Sequence, residues 1–209
     1  MSPNQPPTTD LNTEITTACQ RLYQFTPHEW QSTVIRNIVT SHRSQKKTNM
    51  ILFRPTGGGK SLVYQVASYI NKGITLFISP LLALASDQRQ KLKKKTRDIP
   101  LNASLHLDEM KSSTIKVIAD DLSHMKDPET GICSGSMILF ASPQFLTGER
   151  GKSTLDAILH KDSSALHIVV MDEVHMIASQ FGNTFRRKFR LLKPRLYNKL
   201  PNCCKCQER

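Results

Sequence analysis

The apolar run Met50-Ile51-Leu52-Phe53 turns directly into Arg54-Pro55-Thr56-Gly57-Gly58-Gly59-Lys60-Ser61, and a helix-compatible stretch, Leu62-Val63-Tyr64-Gln65-Val66-Ala67, follows. An apolar strand that passes through glycines into Gly-Lys-Ser and then a helix is the architecture of a phosphate-binding loop. Residues without a Cβ let backbone N–H groups crowd around phosphate oxygens, and a helix N-terminus and an ammonium add positive charge there. A structural glycine turn that happens to precede a lysine needs neither flank, and both are present. The spacing predicts that Pro55, Thr56, Gly57, Gly58, Gly59, Lys60 and Ser61 hold the phosphates of a nucleotide.

A chain of 209 residues is long enough for one α/β domain with a substantial core. Its net charge of +12 favours a polyanionic partner, nucleic acid ahead of an acidic membrane. The longest apolar stretch, residues 74–85, is interrupted by Ser79 and Pro80, too short to span a bilayer. Residues 1–9 are polar and proline-rich, without the apolar centre of a secretory signal. The expectation is a soluble intracellular protein, nuclear if the source is eukaryotic, with no membrane partner. Of five cysteines, Cys19 and Cys133 read as small core hydrophobes. Cys203, Cys204 and Cys206 give three thiols in four positions, short of the two spaced pairs of a structural zinc site.

Residues 1–9 read as a disordered tail, 10–200 as one domain and 201–209 as a second tail. Within the domain, helix and strand alternate. Strands are expected at 49–53, 74–78, 103–107, 137–140 and 167–171, and helices at 10–23, 27–43, 112–125, 153–160 and 184–200, with Pro27 in the first turn of the second helix. Strands that read as continuous apolar runs suit a parallel sheet covered on both faces, so the predicted fold is a doubly wound α/β domain.

The last strand, His167-Ile168-Val169-Val170-Met171, ends in Asp172-Glu173-Val174-His175. In an open α/β sheet, ligands bind at the carboxyl ends of the strands, where the loop at Lys60 should also emerge. An acidic pair after a strand is by itself an ordinary surface feature. Downstream of a phosphate loop in one sheet, it points to an NTPase. Charge suggests the roles: Asp172 holding Mg²⁺ with the Ser61 hydroxyl, and Glu173 orienting and deprotonating the water that attacks the γ-phosphate.

At these residues the chain resembles the first motor lobe of superfamily 2 helicases, and among them the RecQ-like DNA helicases. Residues 55–62 with Tyr64-Gln65 resemble that family's motif I, Ser79-Pro80-Leu81-Leu82-Ala83-Leu84 with Asp87-Gln88 its motif Ia, and Asp172-Glu173-Val174-His175 a DExH box. Phe140-Ala141-Ser142-Pro143-Gln144 is similar to the motif between them. Phe25, Pro27 and Gln31 are similar to the adenine-recognition segment, and Ser179-Gln180-Phe181-Gly182 with Phe185-Arg186 to the aromatic-rich loop coupling DNA contact to ATP hydrolysis. The resemblance covers roughly residues 15–195 and implies a RecA-like P-loop NTPase lobe, with ATP on Thr56–Ser61, Gln31 near the adenine, and Lys60 and Glu173 in catalysis. Thr26 stands where family members often carry arginine, Phe181 replaces a tryptophan, and that loop is one residue longer.

Single-stranded or forked DNA is the partner the resemblance implies, held at Ser79, Pro80, Ser142, Pro143, Gln180, Phe181 and Arg186. Two basic segments add charge: Arg89 to Arg97, and Arg186 to Arg195, in which Phe185 and Phe189 suit either base stacking or core packing. Arg209 falls before the family's motif III and second lobe, which supplies an arginine finger. The expectation for this chain alone is therefore nucleotide binding, slow hydrolysis and no unwinding. The rival readings are a non-catalytic nucleic-acid or partner-binding fragment and an RNA-directed DExH ATPase.

Overall fold

The computed structural model describes residues 10–46, 48–55, 57–95, 104–109, 135–161, 166–172 and 191–192. Four strands form one sheet: β1 (Gly73–Ile78), β2 (Ser104–His106), β3 (Ser136–Ala141) and β4 (Leu166–Met171), in the order β2-β3-β1-β4. Every pairing is parallel. The helices are α1 (Leu11–Tyr23), α2 (Glu29–Arg43), α3 (Lys60–Asn71), α4 (Leu82–Lys95), α5 (Pro143–Thr147) and α6 (Glu149–Lys161).

All six residues of β1 and of β3 are buried, which is why these strands read as unbroken apolar runs. Alternation divides them between two layers. Ile74, Leu76 and Ile78 of β1 and Met137, Leu139 and Ala141 of β3 pack with Leu146 of α5, Leu155 of α6 and Leu192. On the opposite face, Phe77 and Ile138 with Phe140 meet Tyr64 of α3 and Ala85 and Leu92 of α4. Beside them α1, α2 and α3 close over Ile168 through Ile15, Leu22, Ile35, Val39, Val63 and Val66. The doubly wound α/β architecture is thus present. Cys19 is buried in this cluster, where desolvation pushes its thiol up to about 11.

Several expected boundaries move. Residues 49–53 are not a strand, and no described strand lies beside the segment. Met50, Ile51 and Phe53 are exposed as a result. Pro27 precedes α2 rather than sitting in its first turn, because His28 is the N-cap. Strand β2 is shorter than expected, since Leu107–Glu109 winds into a 3-10 turn. Helix α6 begins at Glu149, four residues before the expected start, and α5 was not foreseen, although Ser142 followed by Pro143 is a strong N-terminal signal. The expected helix at 112–125, the two tails, and all of 184–200 except the helical pair Leu191 and Leu192 lie outside the described residues.

The pairing of β1 with β4 slips once, between Ile74 and Thr75: Leu166 faces Ile74 but Ile168 faces Thr75, leaving His167 as an extra residue. Its ring lies 3.9 Å, centroid to centroid, from that of His42 in the last turn of α2. Burial first, then the neighbouring His167 and Arg43, lowers the His42 pKa to about 4 from 6.5, while Arg43 is paired with Glu14 of α1 at 2.7 Å. Because the folded state resists this proton, the contact's contribution is complete above pH 6.5 and is lost as the pH falls toward 4. The melting temperature should fall over that window in scanning fluorimetry, and His42→Gln should show a shallower fall. Independently, Phe140 is fully buried, with its ring 5.1 Å from that of Phe77. Phe140→Ala should cost about 3–5 kcal/mol in urea unfolding, through lost transfer energy and the cavity left behind.

Candidate nucleotide and nucleic-acid site

Parallel pairing in register brings three strand ends to one edge. Ile78 pairs with Ala141 on one side and Met171 on the other, so Ser79, Ser142 and Asp172 follow at the same level. The ladder runs on past the strands, through Ser79 N–H to the Ala141 carbonyl (3.1 Å) and Asp172 N–H to the Ile78 carbonyl (2.9 Å).

The loop before α3 meets this edge. Gly57 and Gly59 have φ of +80° and +79°, a region L side chains rarely adopt. Nothing lies within 4 Å of where a Cβ on Gly57 would stand, so the loop is open there, whereas one on Gly59 would be 2.6 Å from Gln31 Nε2. Gly58 N–H donates to the Pro55 carbonyl at 3.1 Å, closing the turn. Lys60, the first residue of α3, donates through Nζ to the carbonyls of Arg54 (2.8 Å) and Pro55 (3.0 Å). An ammonium carries three protons, so these two bonds leave one for an anion at the mouth of the loop. Thr56 lies outside the described residues.

Two contacts clamp α2 onto the loop. The Arg54 guanidinium stacks 4.7 Å from the centre of the Trp30 ring. The buried Gln31 accepts from His28 N–H at 2.9 Å and donates to the Gly59 carbonyl at 3.3 Å. Its amide therefore ties the start of α2 to the glycine turn.

Tyr64 lies one turn along α3 from Ser61. Its ring packs on Phe77 at 5.0 Å, and its hydroxyl accepts from Gln65 Nε2 at 3.2 Å. Burial, chiefly, drives the phenol pKa well above its ordinary value, with Asp172 adding to the rise while the bonds to Gln65 and Ser61 oppose it. The phenol is thus a neutral O–H at physiological pH. Ser61 and Asp172 are the hard oxygen donors of this edge, a set that suits Mg²⁺ completed by phosphate and water. Among the described residues no three His, Cys, Asp or Glu side chains cluster, so a metal caged by protein alone is not seen there. Glu173 lies outside the described residues.

Of the expected nucleic-acid contacts, Ser79 is fully buried, its hydroxyl accepting from Leu81 N–H at 3.3 Å, and Pro80 is half-buried. Ser142 is turned inward: it caps α5 through Phe145 N–H (3.0 Å), its own N–H donates to Asp108 (2.9 Å), and its hydroxyl donates to the same carboxylate. Pro143 is buried behind it, whereas Gln144, Leu81 and Leu82 are exposed at the rim. Gln180, Phe181 and Arg186 lie outside the described residues. In the first basic segment Arg89 pairs with Glu109 (3.3 Å) and Lys91 with Asp87 (2.7 Å), leaving Lys93 and Lys94 exposed on α4. No helix among the described residues is long and apolar enough to cross a membrane.

Sequence reasoning missed Asp108, Tyr64 and the Tyr23–Gln65 contact. A lone carboxylate after a short strand carries no motif, and a tyrosine on an apolar helix face reads simply as core.

Comparison with known proteins agrees with this geometry. The model of the DEAD/DEAH box helicase family matches residues 28–204. The chain is 35% identical over 133 residues (63% of its length) to the ATP-dependent DNA helicase Q5 of Rattus norvegicus, covering 12% of that protein. It is 32% identical over 146 residues (70%) to the ATP-dependent DNA helicase Q-like 5 of Arabidopsis thaliana, covering 14% of it. Over 147 residues (70%) it is 28% identical to the ATP-dependent DNA helicase RecQ of Synechocystis, covering 27%. The chain therefore spans less than a third of the length of these relatives. With a glycine loop, a lysine-led helix and a strand-end aspartate gathered at one edge of a parallel sheet, and with the family model covering most of its length, this chain belongs to the DEAD/DEAH box helicases.

Proposed function

We propose that this chain is the nucleotide-binding motor lobe of an ATP-dependent DNA helicase of the RecQ type, binding Mg-ATP and single-stranded or forked DNA. The observation that carries the reading is the glycine turn that holds Lys60 by two carbonyls at the head of α3, in a parallel sheet whose β4 delivers Asp172 level with the end of β1. The relatives named as ATP-dependent DNA helicases support the substrate class.

In this reading the loop from Pro55 to Ser61 holds the phosphates, with Thr56 and the three glycines at its turn and Gln31 keeping the glycine turn against α2 beside the adenine. Mg²⁺, when bound, neutralises charge on the phosphates. Ser61 and Asp172 hold it, Lys60 places its ammonium on the γ-phosphate side, and Glu173 takes a proton from the attacking water as the bond to the β-phosphate oxygen breaks. DNA lies across the rim formed by Ser79-Pro80 and Ser142-Pro143, reached by backbone groups rather than by the inward Ser142 hydroxyl, with Gln180, Phe181 and Arg186 completing the contact. Contacts of this kind track the backbone without reading sequence.

Lys60→Ala should weaken ATP binding by about 10- to 100-fold in calorimetric titration, the loss of one charge-assisted hydrogen bond to phosphate. Glu173→Gln should keep the affinity and remove residual phosphate release. Unchanged nucleotide affinity in Lys60→Ala would favour a module that binds nucleic acid or protein without nucleotide. DNA affinity of the chain, measured by fluorescence anisotropy, should fall linearly in log K against log salt, with a slope near −0.7 per phosphate contacted on single strands. A stronger response to RNA than to DNA in phosphate release would instead favour an RNA-directed ATPase.

A further inference from the structure

The 3-10 turn Leu107–Glu109 has no role in the reading above, yet it bonds to both rims assigned to nucleic acid. Strand β2 pairs with β3 in register up to His106 opposite Phe140, so Asp108 and Ser142 stand two residues past the last pair. Leu107 anchors the turn, fully buried in one cluster with Ala141 and Leu146. The two carboxylates after it then reach different neighbours.

Asp108 takes both donors of Ser142: the backbone N–H at 2.9 Å and, on its other oxygen, the hydroxyl. A carboxylate only accepts, so the Ser142 proton is committed to it and Oγ is left to accept from Phe145 N–H, at 3.0 Å. The Ser142 carbonyl accepts from Leu146 N–H at 3.1 Å. Each polar group of Ser142 is thus engaged inside the protein, in an orientation that Asp108 sets. Glu109 accepts instead from Ser86 Oγ at 3.0 Å and from Arg89 Nη1 at 3.3 Å. Those two residues lie one turn apart on α4, the helix that follows Ser79-Pro80. Helices α4 and α5 pack on opposite faces of the sheet, through Ala85 and Leu92 on one and Leu146 on the other. The turn at the end of β2 bonds to both.

We propose that this turn is a spacer for nucleic acid: Asp108 and Glu109 are positioning residues that hold the Ser142-Pro143 rim and the start of α4 at a fixed separation, so that one strand meets both. The proposal rests on the nucleic-acid reading above, and adds to it a segment to which that reading gives no contact. Phosphate contacts fix how a strand lies on a protein, so two rims must keep the spacing of its backbone to engage it together. The Glu109 side chain is 54% exposed, and an ion pair so exposed adds little to stability. Its effect therefore falls on geometry rather than on folding.

The test is fluorescence anisotropy of the 209-residue chain with a labelled oligodeoxythymidine over a range of salt, for wild type, Asp108→Ala and Glu109→Ala. Each variant is assayed well below its melting temperature. Both substitutions remove a negative charge, so electrostatics alone would tighten binding. Positioning requires the opposite sign. Each variant should bind about 3- to 10-fold more weakly, the equivalent of one lost hydrogen bond. The slope of log K against log salt should also become shallower, as phosphates leave the rims. Loss of folded molecules alone would lower K by one factor at every salt concentration, and a wild-type slope with weaker binding would overturn the proposal. Unchanged or tighter binding in either variant would also overturn it, while leaving the nucleic-acid reading intact. If Asp108→Ala does not fold, Glu109→Ala decides by the same two criteria. Failure of the wild-type chain to bind the oligonucleotide would instead remove the nucleic-acid reading, and this proposal with it.

Discussion

Parallel hydrogen bonding between β1 and its two neighbours sets the position of nearly everything chemical in this lobe. Because Ile78 lies opposite Ala141 and Met171 at once, three chains leave the sheet at one height and deliver Ser79, Ser142 and Asp172 to a common edge. Had either pairing shifted by one residue, side chains would have exchanged faces and the three exits would no longer be level. The one slip that exists is at the other end of β4, where His167 is accommodated against α2 and the carboxyl-terminal register is untouched.

On this frame the glycine loop before α3 is held by atoms from outside it. Arg54 stacks on Trp30 and Gly59 takes a hydrogen bond from Gln31, so the beginning of α2 grips both ends of the turn. The turn in turn grips Lys60 through two carbonyls. Each contact is worth little alone in water, but together they restrain a turn whose glycines have wide conformational freedom. Preorganisation of this kind lowers the ordering cost of binding an anion.

Much of this was legible beforehand. The β1, β3 and β4 segments announced themselves as short apolar runs, and the glycine-lysine-serine turn and the acidic pair each carried a spacing that chemistry requires. What was not legible depends on neighbours. Residues 49–53 have the composition of a strand, but strandedness is a property of a pair, and no described strand lies beside them. Helix α5 was hidden because five residues are too few to show a period, though its cap was in plain sight at Ser142. The Gln31 amide is engaged by His28 and by Gly59, the latter a contact spanning 28 positions that no local pattern reveals. Tyr64 was quoted only as part of a motif, because nothing in one dimension says that its ring will be buried against Phe77 with its hydroxyl bonded by Gln65.

The unpaired run at Met50–Phe53 also has a colloidal consequence. Ile51 and Phe53 are 75% and 85% exposed, on extended backbone whose amides and carbonyls bond to no described strand. Such a ribbon is an adhesive surface, able to accept another molecule's strand and so to seed self-association. Mutual repulsion from a net charge of +12 works against that adhesion, and it is weakened by screening. Salt thus lets its molecules approach one another.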